Sequence, residues 1–221
     1  MGAGVNYGPR YEGAATMRLR YVPIIDIDYS NGGFCIGVRR GIGFNFSESK
    51  YIQYGVRLHV GPARSPDNDA HLFGMTDIKY YPEASLFLST RLGPLSISGA
   101  AAGSSHGAHA NLGCGLGIPL GKADRMRLGF KANWDDSNYA QTYFGVSAAE
   151  AIASGNILTP YVAREGKRDT VLTAAWTHSF NKQWFVNTGL THKKLVGSAQ
   201  FSPLTQRTSM NSMRLSLAYR L

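Results

Sequence analysis

"SMNSMRLSLAYRL", residues 209–221, decides the fold. Met213, Leu215, Leu217, Tyr219 and Leu221 fall on one face of an extended chain, and Arg214, Ser216, Ala218 and Arg220 on the other. Successive side chains of a strand point to opposite faces, so this two-residue period is that of a strand with one apolar and one polar side. Met126, Leu128, Phe130, Ala132 and Trp134 oppose Arg127, Gly129, Lys131, Asn133 and Asp135 in the same way. Leu112, Cys114, Leu116 and Ile118 alternate with Asn111 and three glycines. In residues 17–29, Met17, Leu19, Tyr21, Pro23, Ile25, Ile27 and Tyr29 oppose Arg18, Arg20, Asp26 and Asp28. Further strands are expected near 2–10, 33–46, 51–62, 77–91, 94–103, 168–180 and 184–196.

Several of these segments exceed the roughly ten residues that a tilted strand needs to cross a bilayer. Ordinary globular strands are shorter, with a mode of roughly 5–6 residues. The links carry a second signal. Read back from residue 221, long connections (197–207, 138–167, 63–76) alternate with short ones (181–183, 121–125, 92–94, 47–50). Tight turns on one side and longer loops on the other mark an outer-membrane barrel, and a β-sandwich has no reason to sort its loops so. The expectation is an all-β fold: one antiparallel transmembrane β-barrel over residues 1–221, of about twelve strands with ten as the alternative.

Composition agrees with that class. Only 17% of the 221 residues are charged and 26 are glycine, and no run approaches the roughly 18 apolar residues of a membrane-crossing helix. The net charge of +9 favours anionic lipid or an acidic partner, and no nucleic-acid motif or basic helix is present. The opening "MGAGVNYGPRYEG" lacks the charged start and apolar stretch of a signal peptide, so the chain reads as a mature form whose signal has been removed. Cys35 and Cys114 have no metal-ligand spacing and fall on opposite faces, which argues against a disulfide between them.

Three features strain the pattern. Pro23 and Pro82 fall within expected strands, where proline loses a ladder hydrogen bond. Eleven segments give an odd number. Arg40 would face lipid if 33–46 were one strand, at a cost of roughly 2–4 kcal/mol near the midplane. A break at residues 39–41 relieves the last two, and a strand in 157–163 would also restore parity.

One stretch leaves the strand pattern: "TYFGVSAAEAIASG", residues 142–155. Ser147 and Glu150 form an S-x-x-E capping box, good helix formers follow, and Gly155 can end the helix in a left-handed conformation. About two helical turns are expected there, in the longest loop. Helices this short are marginal alone, so the segment must dock, and Ser147, Glu150, Ile152 and Gly155 make it a candidate lid at the barrel mouth. The alternative is an ordered loop that does no more than close the barrel.

The polar faces place Arg18, Arg20, Asp26, Asp28, Arg127, Lys131 and Arg214 in the lumen, with Arg91, Asp135 and Arg220. Their mixed signs allow pairing across the interior, which leaves the lumen either filled or a narrow channel. With the long loops outside, Arg164, Lys167, Arg168, Lys193, Lys194 and Arg207 gather at the outer rim, where cations can bind lipopolysaccharide phosphates. A generally solvated rim is the alternative. Tyr29, Tyr51, Tyr80, Trp134, Tyr143, Trp184 and Tyr219 lie near strand ends, as interfacial girdles require.

Residues with catalytic chemistry do not converge. His178 and His192 sit at opposite ends of one hairpin, Asp135 and Asp136 are adjacent and point apart, and His106 with His109 lacks a third metal ligand. An enzyme is not expected, nor a cofactor or metal.

"PRYEG" (9–13), "QTYFGVSAAEAIASG" (141–155), "LVGSAQFSP" (195–203) and the terminal "LAYRL" occur in the order seen in the MipA/OmpV family of outer-membrane proteins, which the chain resembles along essentially its whole length. The "YFGVSAAEAIASG" segment is the most specific part. The resemblance implies an outer-membrane barrel of Gram-negative bacteria. It also implies a non-enzymatic scaffold joining a murein lytic transglycosylase to a peptidoglycan synthase, and it brings no catalytic residues. A narrow channel for small solutes or antibiotics, with residues 147–155 as constriction, is the alternative.

Overall fold

The computed structural model of the protein describes residues 1–29, 33–38 and 40–220, without the side chains of Asp28 and Tyr29. The expectations for those two side chains, and for Arg39 and Leu221, lie outside the described residues. The backbone is one antiparallel sheet of thirteen strand segments. In chain order they are β1 (Gly2–Pro9), β2 (Met17–Ile24), β3 (Asp26–Tyr29), β4 (Phe34–Gly37), β5 (Gly41–Asn45), β6 (Ile52–Val60), β7 (Pro82–Leu92), β8 (Leu95–Ser104), β9 (Gly107–Pro119), β10 (Asp124–Asp135), β11 (Gly166–Ser179), β12 (Trp184–Leu195) and β13 (Ser209–Tyr219). From β3 onward each pairs with the next, and β1 pairs with both β2 and β13, Gly2 lying opposite Ala218 and Tyr7 opposite Met213.

The two ends of that sheet are β2 and β3, which only Ile25 separates. Residues 17–29 are therefore one strand working in two registers. Its first half pairs with β1, Met17 opposite Pro9 and Ile24 opposite Gly2. Its second half pairs with β4, Asp26 opposite Gly37, and the Ile25 carbonyl accepts from the Val38 amide at 3.0 Å. Counted once, this strand brings the wall to twelve and sets the ten-strand alternative aside. Segment 33–46 is broken as its arginines required: β4 and β5 form a hairpin closed by Gly37 opposite Gly41. The Arg40 Nε then pairs with Asp26 Oδ1 at 3.0 Å.

The prolines fit the same plan. Pro82 is the first residue of β7. Pro23 lies in the half of residues 17–29 that has β1 as its one strand neighbour among the described residues. Both are positions where a missing N–H spares the ladder. Residues 10–16, 61–81, 136–165 and 196–208 all leave one end of the barrel, and the turns 46–51, 93–94, 120–123 and 180–183 leave the other. The long-loop end is the outward one in barrels of this type.

Across the wall the burial is inverted relative to a soluble sheet. Met213, Leu215 and Leu217 are about half exposed, at 58%, 49% and 48%, whereas Ser216 and Ala218 are buried on the inside. Lipid, not a protein core, covers the apolar face. At the short-turn end an aromatic belt forms: Trp184 meets Tyr219 edge-on at 5.1 Å, and His178 lies between Trp176 and Phe180. Asp124 anchors that column, accepting from Trp176 Nε1 at 3.0 Å and contacting His178 Nδ1 at 2.9 Å.

The conventional core sits at the long-loop end, in two clusters. Leu72, Met75, Val146, Ala151, Leu158 and Leu204 make one, and Ala140, Phe144, Ala163, Leu195, Ala199 and Met210 the other. Two helices contribute to them, α1 (Ser137–Phe144) and α2 (Ala148–Ala153), and loops and strand ends supply the rest. The expected box caps α2: the Ser147 Oγ accepts from the Glu150 amide at 3.2 Å, and Glu150 Oε2 from the Ser147 amide at 2.9 Å. Gly155 stops it at φ 70°. Helix α1 is not foreseen by the strand-and-loop reading, yet its cap is ordinary. Asp136 Oδ1 accepts from the Tyr139 amide at 2.7 Å, and Oδ2 from the Ala108 amide at 2.9 Å. Close approach makes Gly107 necessary, since at φ 113° a Cβ there would lie 2.3 Å from the Tyr139 nitrogen. Residues 157–163 form no strand, only a single bridge between Val146 and Tyr161.

Candidate lumen site

Just below the two core clusters, the inner wall gathers most of the chain's buried charge. Arg168, near the start of β11, is its hub. Its Nη1 reaches Asp135 Oδ1 at 3.1 Å, its Nε reaches Asp169 Oδ2 at 2.8 Å, and Glu12 Oε2 lies 3.8 Å from Nε. Lys193 of β12 pairs with Glu12 Oε1 and lies 3.6 Å from Asp169. Asn133 donates to the fully buried Asp169, and Lys131 lies within electrostatic reach of both Asp169 and Glu12. Three cations and three carboxylates thus share one network. That mutual pairing is what makes burial tolerable, because an unpaired charge in this setting costs several kcal/mol, on the order of 3–5 when one partner is removed. Arg168 also lies over the Tyr139 ring, 5.5 Å from its centroid, which ties the network to α1.

Glu12 stands on the 10–16 loop. Burial alone would raise its carboxyl, but Lys193 and Arg168 outweigh that and hold it down at about 2, below the ordinary 4.5. The neighbouring loop tyrosines go the other way. Burial pushes Tyr11, Tyr139 and Tyr143 well above their ordinary value, so each stays a neutral hydroxyl. Tyr143 donates to the Pro62 carbonyl at 2.5 Å and meets the Tyr81 hydroxyl at 2.8 Å.

A second group adjoins the first, His109 of β9 lying opposite Asp135 of β10. Glu83, near the start of β7, is buried between two histidines: His59 Nε2 lies 3.0 Å from Oε2, and His109 Nε2 lies 2.6 Å from Oε1. His109 packs on Tyr139 at 4.7 Å, and Tyr139 on Tyr143 at the same distance. Members of both groups line a cavity of about 570 Å³, together with Arg10, Arg18, Arg20, Arg64, Val60 and Tyr80.

The sequence-expected residues divide among these places. Arg18 and Arg20 face this cavity, Lys131 joins the network, and Asp26 pairs with Arg40 lower in the wall. Arg127 and Arg214 stand on inward positions of β10 and β13, opposite Ala175 and Gly189 respectively. The six rim cations separate. Arg164, Lys167, Lys194 and Arg207 are exposed, while Arg168 and Lys193 turn inward and are consumed by carboxylates. For Lys193 the strand period decides it, since Lys193 and Lys194 are neighbours on β12 and must face opposite ways; Arg168 is the extra residue of a β-bulge opposite Asn133 and Trp134, which turns it inward. Among the lid residues, Glu150 Oε1 accepts from the Thr76 amide at 3.0 Å, joining α2 to the 61–81 loop, and Ile152 projects outward at 70% exposure.

His178 and His192 remain apart, the latter meeting Asn211 on the outer wall at 2.8 Å. His106 stacks on Tyr81 at 4.1 Å, and so does not combine with His109. Among the described residues no group of three or more His, Cys, Asp or Glu is arranged to hold a metal ion. The two cysteines are free, Cys114 on the lipid side. Glu12, Glu83 and His59 escaped the sequence reading. For Glu83 a signal existed: an acid set two before Ser85 on the inward face of an expected strand, with His59 and His109 on inward positions of two others.

The chain has no match among curated proteins. Solved structures similar to it include a NanC porin, at 9% identity and TM-score 0.40, covering 99% of this chain and 100% of that one. OprD from Pseudomonas aeruginosa aligns at 10% identity and TM-score 0.43 over 100% of this chain and 65% of its own. OmpT of Vibrio cholerae aligns at 6% and 0.36 over 92% and 64%. This chain thus spans about two thirds of the latter two. A family model described as MltA-interacting protein MipA matches residues 1–221. With every residue inside that match, the chain belongs to the MipA family.

Proposed function

We propose that this protein is a non-enzymatic outer-membrane anchor for cell-wall remodelling enzymes, holding a lytic transglycosylase, and through it a murein synthase, at the inner surface of the membrane. The observation that carries the reading is the cap. Loops 61–81, 136–165 and 196–208 fold into two apolar clusters over the outward mouth, with Leu72, Phe144, Leu195 and Leu204 essentially inaccessible. A mouth filled by its own core suits a rigid anchor better than a passage for solutes. The family's description as MltA-interacting supports the partner class.

The partner surface in this reading is the short-turn end. Its turns are small but basic, and Lys122, Asn181, Lys182, Phe185 and Arg220 line a cleft of about 410 Å³ there. An acidic patch on a periplasmic enzyme would complement it. Photo-crosslinkers at Lys122 and Lys182 in living cells provide the test. Capture of a lytic transglycosylase from both positions supports the anchor. Reproducible absence of any cell-wall enzyme, together with conductance in planar bilayers that rises on deleting 147–155, would favour the narrow channel. The polar, mixed-sign lumen is the observation on that side. The exposed Arg164, Lys167, Lys194 and Arg207 are proposed to contact lipopolysaccharide phosphates at the rim.

A further inference from the structure

The wall is not equally tall all the way round. Strands β7 to β13 have ten to fourteen residues, whereas β4 has four and β5 five. Above the β4–β5 hairpin, the edge of β2 from Met17 to Ile24 has no strand beside it among the described residues. Eight residues at a rise of roughly 3.3 Å make about 26 Å of strand edge. Loop 61–81 covers its outer end: Arg18 Nη1 donates to Asn68 Oδ1 at 3.0 Å, and Thr16 to Asp69. A notch remains between β2 and the end of β6.

The lumen cavity opens into this notch. Its lining includes both His59 and Val60. Arg18 and Arg20 of β2 line the same cavity, so it reaches the gap from both flanks. Leu19, Tyr21, Val38, Val60 and Tyr80 surround the notch on the lipid side, each more than half exposed.

On the lumen side the same cavity holds Arg10, Arg18, Arg20 and Arg64. Their hydrogen-bond partners are neutral: Asn68 for Arg10 and Arg18, the Pro9 and Arg10 carbonyls for Arg20, and the Tyr143 carbonyl for Arg64. The Nε of Arg18 and that of Arg64 are buried without a partner. The cavity's own acids are engaged elsewhere, Glu12 by Lys193 and Arg168, Glu83 by two histidines. Asp69 lies within electrostatic range of Arg10, but Thr16 and His71 already occupy it.

We propose that the notch is a lateral portal through which a phosphate-bearing lipid of the outer leaflet places its head among these guanidinium groups, leaving its acyl chains outside against Leu19, Tyr21 and Val60. Bidentate guanidinium–phosphate pairing supplies the recognition, and the open edge of β2 supplies the path. The reading is independent of any periplasmic partner.

The test uses the full chain in phosphatidylcholine vesicles containing phosphatidic acid with a photoactivatable diazirine in its acyl chain. The expected result is labelling concentrated on residues 17–24, 38 and 60, unaffected by free inorganic phosphate. Arg18→Gln with Arg20→Gln should lower it about tenfold or more, since two charge-assisted contacts are lost. Heat-modifiable migration on gels reports whether that variant still forms a barrel; if it does not, the wild-type label distribution decides alone. Labelling spread evenly around the wall overturns the proposal. So do unchanged labelling in a folded double variant and competition by phosphate without lipid labelling, which would mean an anion site only.

Discussion

Glu12 is the residue whose removal should be read most clearly, because one loop carboxylate joins Arg168 and Lys193. Its folded value, about 2, is below its ordinary 4.5. As pH falls, the unfolded chain therefore takes up a proton first, and the stabilisation is complete above about 4.5 and lost as pH drops toward 2. Thermal unfolding in detergent across that window should show wild type losing stability, with Glu12→Gln less stable at neutral pH and flatter below it. A profile for E12Q parallel to wild type would show that the network does not depend on this carboxylate. Asp136 offers a second case at the same scale. Replacing it by Ala removes both the α1 cap and the bond to the Ala108 amide, at an expected cost of about 1 kcal/mol for the cap. Faster amide exchange at Tyr139 and Ala140 is the readout.

Among the elements, the cap and the wall answer to different solvents, and mutations should separate them. Leu72 is packed against Met75, Val146 and Leu204 by the loops alone. Leu72→Ala should cost about 2–5 kcal/mol of local stability, appearing as protease cleavage within 61–81 and 136–165 while the barrel keeps its heat-modifiable band. Loss of that band would mean the cap supports the wall. The elements also divide by how readable they were. Strand alternation was legible because lipid on one side and a polar lumen on the other enforce a period of two at every position. The capping box at Ser147 was legible because it is local. Helix α1 was not, although Tyr139, Ala140, Tyr143 and Phe144 form an apolar face, because eight residues are too few for that period to stand out within a long loop. The inward turn of Lys193 follows from strand phase, but that of Arg168 depends on a β-bulge that the alternation does not announce. Glu12 needed the packing of a loop against β11 and β12, which one sequence does not contain, whereas His59, Glu83 and His109 stood on inward positions of expected strands and lacked only their register.

For the molecule as a whole, parity turned on a strand that belongs to both ends of the sheet. Pro23 strains an interior strand, and it fits residues 17–24 because the short β4–β5 hairpin leaves their far edge without a strand among the described residues. Filling that edge should matter globally. Lengthening the hairpin by two alternating residues on each side of 38–40 should lower the cavity's access from lipid without changing barrel size, which lipid labelling at Val60 would record. Undiminished labelling would place the entry elsewhere.

The pairing of β1 with β13 joins Gly2 to Ala218, so the contact that closes the cylinder spans nearly the entire polypeptide. Non-local pairings of this kind are slow to form, and a lone hairpin is barely stable in water. Until the final strand is delivered, the edge of β1 that β13 will cover is a bare row of amides and carbonyls. The nascent molecule is thus sticky at its beginning for as long as its end is missing. Escort through the periplasm should be most needed over residues 1–29, and a bound chaperone should let go only when β13 arrives.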